Sequence, residues 1–192
     1  MSKSTLYRLA VVAGILSGVF IIGGRFLAGL PNTQPGEIFD LLSPFFALFL
    51  SMGLYLGQRQ ESGTFGGIAF ILLFCGLVML VALDYYGAFI RIHLSPDIIQ
   101  QIEDGPSAPV FIFSLFTFLI GEILFGLSVI RAGVYSKIAA ALFMLGLIGV
   151  VLHPTGLFPE WVIDIAAGAV GISLIWWSID LNNVAEKSKE TS

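Results

Sequence analysis

The sequence predicts an all-α membrane protein folded as a bundle of six transmembrane helices. Of its 192 residues, 57% are hydrophobic and only 11% are charged. In soluble domains roughly a quarter of all residues are charged, so this chain has too few charged residues to cover a surface in water. This composition, with a net charge of −4, excludes a soluble globular enzyme, a nucleic-acid-binding module and a disordered chain.

The apolar runs have the length and pattern of helices that cross a bilayer. They are apolar on all sides and longer than the strands of about ten residues found in membrane barrels, and each is near the 20 residues that a spanning helix needs. Helices also satisfy every backbone polar group in lipid. The expected spans are about 9–30, 38–56, 65–90, 109–130, 135–153 and 161–181. Residues 1–183 then form one domain, and the polar stretch 184–192 is expected to be a disordered cytoplasmic tail.

The distribution of basic residues predicts the orientation of the bundle. With the N-terminus inside, seven Lys and Arg residues lie in inner segments, and only Arg25 and Arg91 lie on the outer side. The positive-inside rule therefore puts both termini in the cytoplasm, which an even number of spans requires. A cleaved signal peptide is the alternative for the first run, but no small-x-small site precedes Pro31. We expect a multi-pass protein of a cell membrane, the bacterial inner membrane.

The longest predicted outer connection contains a short amphipathic helix near 95–105. Ser95 suits the N-cap, Pro96 the first helical position and Gly105 the stop. The apolar face of this helix carries Ile98, Ile99 and Ile102. Such a segment either lies on the outer membrane surface or the bundle, or acts as a lid that gates access to a substrate.

Ionisable residues inside apolar spans are the strongest functional signal, because each costs upward of about 2.5 kcal/mol at the bilayer centre. Arg25 and Asp84 lie at matching depth below the outer ends of their helices. We expect them to face the bundle interior and to pair directly or through water. Two interpretations remain open: an ion pair that fixes helix register, or one wall of an outward-open polar cavity. Tyr85 and Tyr86 would add hydroxyl groups to such a cavity.

Glu122 lies near the middle of the fourth span, with no basic residue at its depth. It is expected either to carry a proton, because burial disfavours a charged carboxylate, or to hydrogen-bond across the bundle. The candidate partners are Ser51, Ser114 and Ser173. Glu122 is therefore a candidate for a proton relay or for a neutral contact that holds helices together.

A second set of polar residues is predicted on the outer face, where His and carboxylate side chains could bind a metal ion or haem. The set comprises His93, His153, Asp40, Glu160 and Asp164. The spacing is not diagnostic of a metal or of haem, so solvated histidines are the default and no cofactor is expected.

Two other residue types carry weaker expectations. Cys75, the single cysteine, is expected to be a small buried apolar residue. Trp161, Trp176 and Trp177, at the two ends of the sixth span, fit interfacial aromatic belts.

Two short stretches carry a resemblance to a class of proteins. The turn Arg131-Ala132-Gly133-Val134-Tyr135-Ser136-Lys137, which leads into Ile138-Ala139-Ala140, resembles a recurring turn in small bacterial polytopic membrane proteins. The opening segment 8–16 is similar to their first span. The resemblance covers about a third of the chain. It implies a membrane bundle and transfers no functional residues.

These features lead to three functional hypotheses. The first is small-molecule or ion binding or transport through an outward-facing cavity lined by Arg25, Asp84 and Glu122. The second is a non-catalytic accessory or scaffold subunit of a membrane complex. The third is a membrane-embedded metal or redox enzyme that uses the outer His and acid cluster. Of the three hypotheses we favour the first two, in which the protein is not an enzyme. The expected partners are the lipid bilayer, a small molecule or ion, and a second copy or a membrane-complex subunit, but no nucleic acid.

Overall fold

The computed structural model describes residues 3–28, 34–152 and 159–190. Its regular structure in these ranges is entirely helical, which confirms the predicted all-α class. The helices are α1 (Lys3–Ala28), α2 (Gln34–Tyr85), α3 (Pro96–Glu103), α4 (Ala108–Ala132), α5 (Lys137–Leu152) and α6 (Glu160–Glu190).

The long helix α2 is a hairpin of two helical segments. Gly63 has φ 56° and ψ −151°, a backbone conformation that is close to exclusive to glycine. The rings of Tyr55 and Phe70 stack with centroids 4.5 Å apart, whereas fifteen residues of continuous helix would separate them by about 22 Å. The chain therefore reverses direction at Gly63. We call the two segments α2a (34–62) and α2b (64–85).

Within the described ranges, four helices are long and apolar enough to cross a membrane, judged by length and composition. They cover Thr5–Leu27, Pro35–His93, Ala108–Ala132 and Glu160–Glu186. The second of these includes the hairpin, and α5 is a shorter apolar helix (Lys137–Val151). These helices are compatible with a membrane protein.

The six long segments pack as a closed ring in chain order. Helix α1 packs against α2 and α6, α2 packs against α4, and α5 packs between α4 and α6. Residues from α1 contact α2a, as Gly14 does at Leu50, and residues from α4 contact α2b, as Gly121 does at Leu73. The ring has an Arg25 end, where α1 ends and α2a begins, and a Gly63 end.

Glycines permit the close approach of neighbouring helices. A Cβ atom at Gly18 would lie 2.5 Å from the carbonyl oxygen of Gly171, and one at Gly76 would overlap the backbone of Phe118. The first contact joins α1 to α6 and the second joins α2b to α4. Small residues at such contacts let the backbones approach closely, so these two pairs of helices pack tightly against each other.

The connection between α2b and α4, at the Arg25 end, contains the short helix that the sequence predicts near 95–105. Helix α2b continues through a π-helical turn (Tyr86–Ile90) and a 3₁₀ turn (Arg91–His93), and α3 then begins after Ser95. The side chain of Ser95 makes no capping hydrogen bond, and the helix ends at Glu103, with Asp104 rather than Gly105 as its C-cap. An ion pair of 3.4 Å between Arg91 and Glu103 joins the two ends of this connection.

Two expectations about exposure and order differ from the structure. The segment from 184, expected to be disordered, continues α6 as helix to Glu190. Ala185 and Glu186 are good helix formers, and Asn182 donates a hydrogen bond of 3.2 Å to Glu186 one turn later. Cys75 is exposed rather than buried, because it lies on the face of α2b away from buried Leu73 and Leu77.

We expect Gly63→Ala to lower the free energy of unfolding by about 1–3 kcal/mol, the usual cost of a strained backbone conformation. A Cβ atom at Gly63 meets nothing within 4 Å, so the cost is conformational and not steric. Reversible denaturation in mixed micelles measures it. Gly168→Ala is the matched control, because its Cβ also meets nothing within 4 Å and Gly168 is an ordinary helical residue. Equal stability of the two variants would contradict the hairpin assignment.

Candidate functional site: a cavity inside the helical ring

The ring encloses a cavity of about 270 Å³ to which all six long segments contribute side chains. Residues at the Arg25 end are partly open to solvent, and the side chain of Arg25 is 30% exposed. Residues further in, such as Leu50, Phe125 and Trp177, are each 1% exposed. Within the described ranges, the cavity is therefore lined by solvent-accessible groups toward the Arg25 end and by buried groups toward the Gly63 end.

Three charged side chains lie at the mouth of this cavity: Arg25 on α1, Asp40 on α2a and Asp84 on α2b. Asp40 precedes Gly63 by 23 residues and Asp84 follows it by 21. Because the hairpin reverses the chain at Gly63, the two carboxyl groups reach the same level of the bundle. They are close enough to act on each other electrostatically.

The ion pair of Arg25 is formed with Asp164 and not with Asp84. One guanidinium nitrogen lies 3.2 Å from Asp164 Oδ1, and Nε lies 3.3 Å from the same oxygen. The prediction of a direct Arg25–Asp84 pair is wrong, because α1 has α2a and α6 as its neighbours in the ring, whereas Asp84 is on α2b. Arg25 also acts electrostatically on Asp40.

Glu122 lies deeper in the cavity and is only 3% exposed. Its Oε2 atom is buried without a hydrogen-bond partner. Among the described residues, no basic side chain forms an ion pair with Glu122. Glu122 is therefore an isolated carboxyl group aimed into the interior of the ring.

The serines expected to bind Glu122 are bonded elsewhere. Each donates its hydroxyl to a carbonyl oxygen of its own helix: Ser51 to Leu48 at 2.8 Å, Ser114 to Val110 at 2.7 Å and Ser173 to Ala169 at 2.7 Å. Serines inside helices commonly satisfy the hydrogen-bonding capacity of their hydroxyl groups in this way. The expected hydrogen bond across the bundle is not formed.

Aromatic side chains form the wall around and below Glu122. Phe118 and Phe125 precede and follow it by about one turn of α4, so the three share a face. Trp177 of α6 packs edge-on against Phe125 with centroids 6.5 Å apart, and against Phe143 at 4.7 Å. The Trp177 Nε1 atom is buried without an acceptor. Trp177 is thus a cavity residue, not the interfacial residue that the sequence suggested.

The remaining candidate residues lie outside the cavity lining. Tyr85 is exposed and packs on Phe89, and Tyr86 faces Phe111 of α4 with centroids 6.1 Å apart. Successive helical residues point about 100° apart, so a helix that turns Asp84 toward the cavity turns these two tyrosines away.

The expected outer cluster of histidines and acids does not assemble in the described part of the chain. His93 and Glu160 are exposed, and Asp164 is used by Arg25. Over residues 3–28, 34–152 and 159–190, no three His, Cys, Asp or Glu side chains are grouped to hold a metal ion. His153 lies outside the described residues.

Sequence reasoning missed two cavity residues. Asp40 was placed in the outer metal cluster, although its distance from Gly63, nearly equal to that of Asp84, was a signal that both acids lie at one level. Trp177 is predicted at the membrane interface because it lies near the end of the sixth span, and the sequence does not show that it turns inward while the neighbouring Trp176 stays partly exposed.

Comparisons with known proteins found no match among protein-family models, curated proteins or solved structures.

We expect a double-mutant cycle to give a coupling free energy of about 0.2–1 kcal/mol between Arg25 and Asp164, the usual range for a partly exposed ion pair. The coupling free energy between Arg25 and Asp84 should be smaller, because the guanidinium group forms its ion pair with Asp164. Arg25→Gln, Asp164→Asn and Asp84→Asn, alone and in pairs, supply the unfolding free energies. A larger coupling to Asp84 would contradict the geometry described.

Proposed function

We propose that the protein crosses the membrane six times, with both termini in the cytoplasm and the Arg25 end of the cavity facing outward. Large apolar side chains on the outside of the ring support this proposal: Phe26 is 79% exposed and Leu145 is 69% exposed. Such a surface is stable in contact with lipid but unfavourable in contact with water. The excess of Lys and Arg on the inner side supports the orientation. The location proposed is a cell membrane, the bacterial inner membrane.

We further propose that the protein binds a small cationic solute in the cavity and moves it across the membrane. The observation that carries this proposal is the charge of the lining, with one basic residue against three acidic residues, Asp40, Asp84 and Glu122. The charge of Arg25 is already compensated by Asp164 outside the lining. The charge of Arg25 is thus shared between Asp164 and Asp40, and the lining becomes net negative when its acids are ionised, which attracts cations and repels anions.

The depths of the acids suggest a route for the solute. Asp40 and Asp84 at the mouth raise the local concentration of cations, and Glu122 is the acceptor inside. An uncompensated buried charge is costly, so Glu122 takes a proton when the cavity is empty and releases it when a cation arrives. This exchange is the role of Glu122 as a proton relay, and it couples solute movement to proton movement.

An accessory or scaffold role is the competing proposal, and the Arg25–Asp164 ion pair favours it. That pair joins α1 to α6, as a device for fixing helix register would. In that case the acids of the cavity would matter for stability or for capture of a partner subunit, and not for a solute.

We expect Asp84→Asn to weaken cation binding at least 10-fold while the protein still folds and inserts, because the variant removes one of the two mouth carboxylates. Binding is measured on purified protein as the rise in melting temperature with Na⁺, tetramethylammonium or benzyltrimethylammonium. Asp104→Asn, which changes an exposed acid at the end of α3, should leave cation binding unchanged. If none of the three cations binds, the solute proposal fails. A change in stability alone in Asp84→Asn would also contradict it and favour the accessory role.

A further inference from the structure

We infer that the ligand of the cavity is an organic monocation with a compact apolar body, and that its positive charge is bound at Glu122 within the aromatic wall. This inference rests on the proposed function and specifies the chemical class of its solute. Two buried polar atoms without partners point to a ligand at this place: Glu122 Oε2 and Trp177 Nε1. Both residues are almost fully buried, and both line the cavity.

The surroundings of Glu122 do not suit an inorganic cation. Hard cations require about six oxygen ligands to replace their hydration shell. Of the three serines considered above, only Ser51 lines the cavity, and its hydroxyl oxygen could supply one ligand. The wall beside Glu122 is otherwise formed by Phe118, Phe125 and leucine side chains, so a metal ion there would lose more water molecules than it would gain ligands.

An organic cation is suited to the same surroundings. Its charge is spread over alkyl groups and carries a weak hydration shell, so entry into an apolar cavity costs less. Phe118 and Phe125 flank Glu122 on α4, and aromatic faces attract cations by about 0.5–2 kcal/mol. The single carboxyl at this depth balances one positive charge. The leucine side chains of the lining, including Leu50, Leu73 and Leu77, pack against the apolar body.

The size of the cavity limits the ligand. A cavity of about 150 Å³ holds benzene, and this one measures about 270 Å³. It therefore accommodates roughly one aromatic ring together with a small ammonium group. Trp177 Nε1 remains available as a donor to an acceptor atom on the natural ligand.

The test compares probes that differ in one property. Benzyltrimethylammonium has the charge and the ring, tetramethylammonium lacks the ring, neopentylbenzene has the same shape without the charge, and Na⁺ is the inorganic cation. The protein carries Trp161→Phe and Trp176→Phe, two residues outside the cavity lining, so that Trp177 is the sole tryptophan and is excited at wavelengths that the tyrosines do not absorb. We expect saturable changes in its emission with benzyltrimethylammonium, at least 10-fold tighter than with tetramethylammonium or neopentylbenzene.

Two variants link this binding to the wall of the cavity. Glu122→Gln should weaken benzyltrimethylammonium at least 10-fold, with Asp104→Asn as the unchanged control. Phe118→Leu keeps an apolar side chain but removes the ring, and it should weaken binding by about 2-fold to 30-fold, the range of the cation–aromatic attraction. Because Phe118→Leu leaves the carboxyl in place, it tests the proposal even if Glu122→Gln does not fold.

The outcomes separate this inference from the proposed function. Na⁺ binding as tightly as benzyltrimethylammonium would overturn the inference of an organic cation, and tetramethylammonium binding as tightly would overturn the inferred apolar body. Both results would leave cation binding intact. Equal binding of neopentylbenzene would show a pocket that recognises shape and not charge, which overturns both. No binding of any cation, with a folded protein, would also overturn both.

Discussion

The reversal of the chain at Gly63 is the constraint on which the rest of the structure depends. It converts one long apolar helix into two antiparallel segments, and it brings acids separated by 44 residues, Asp40 and Asp84, to the same end of the bundle. It also leaves α2b beside α4, which carries Glu122. Without this turn, the mouth acids and the deep acid would not share one cavity. The turn uses a backbone conformation at Gly63 that other residues adopt only at a cost in stability.

The order of helices in the ring determines which charges remain in the cavity. Because α1 lies between α2a and α6, Arg25 meets Asp164 at the start of α6 and is compensated there. Arg25 also acts electrostatically on Asp40 of α2a, but Asp84 on α2b and Glu122 on α4 are left without a basic partner among the described residues. The sign of the cavity charge is thus a consequence of the packing order and not of composition alone. A basic partner for Asp84 would have favoured a structural role for both residues.

The sequence predicted the helical class and the approximate positions of the apolar segments, since composition and run length determine both. It also predicted that Arg25 and Asp84 face the interior of the bundle, and both line the cavity, as does Glu122. The partner of Arg25, the burial of Trp177 and the exposure of Cys75 could not be predicted. Helices that are apolar on every side carry no periodic pattern to show which face turns inward. Such details depend on which helices are neighbours, and that is a tertiary property. The six-span topology stays a prediction.

The exposure of Cys75 has a practical consequence for studying how this bundle moves. It is the single sulfhydryl of the chain, and it lies on the outside of α2b, away from the cavity. A nitroxide can be attached there without removing any native thiol and without entering the interior. Paired with one engineered thiol on the outer surface of α6, it makes the width of the ring a distance that pulsed electron spin resonance can record, with and without solute.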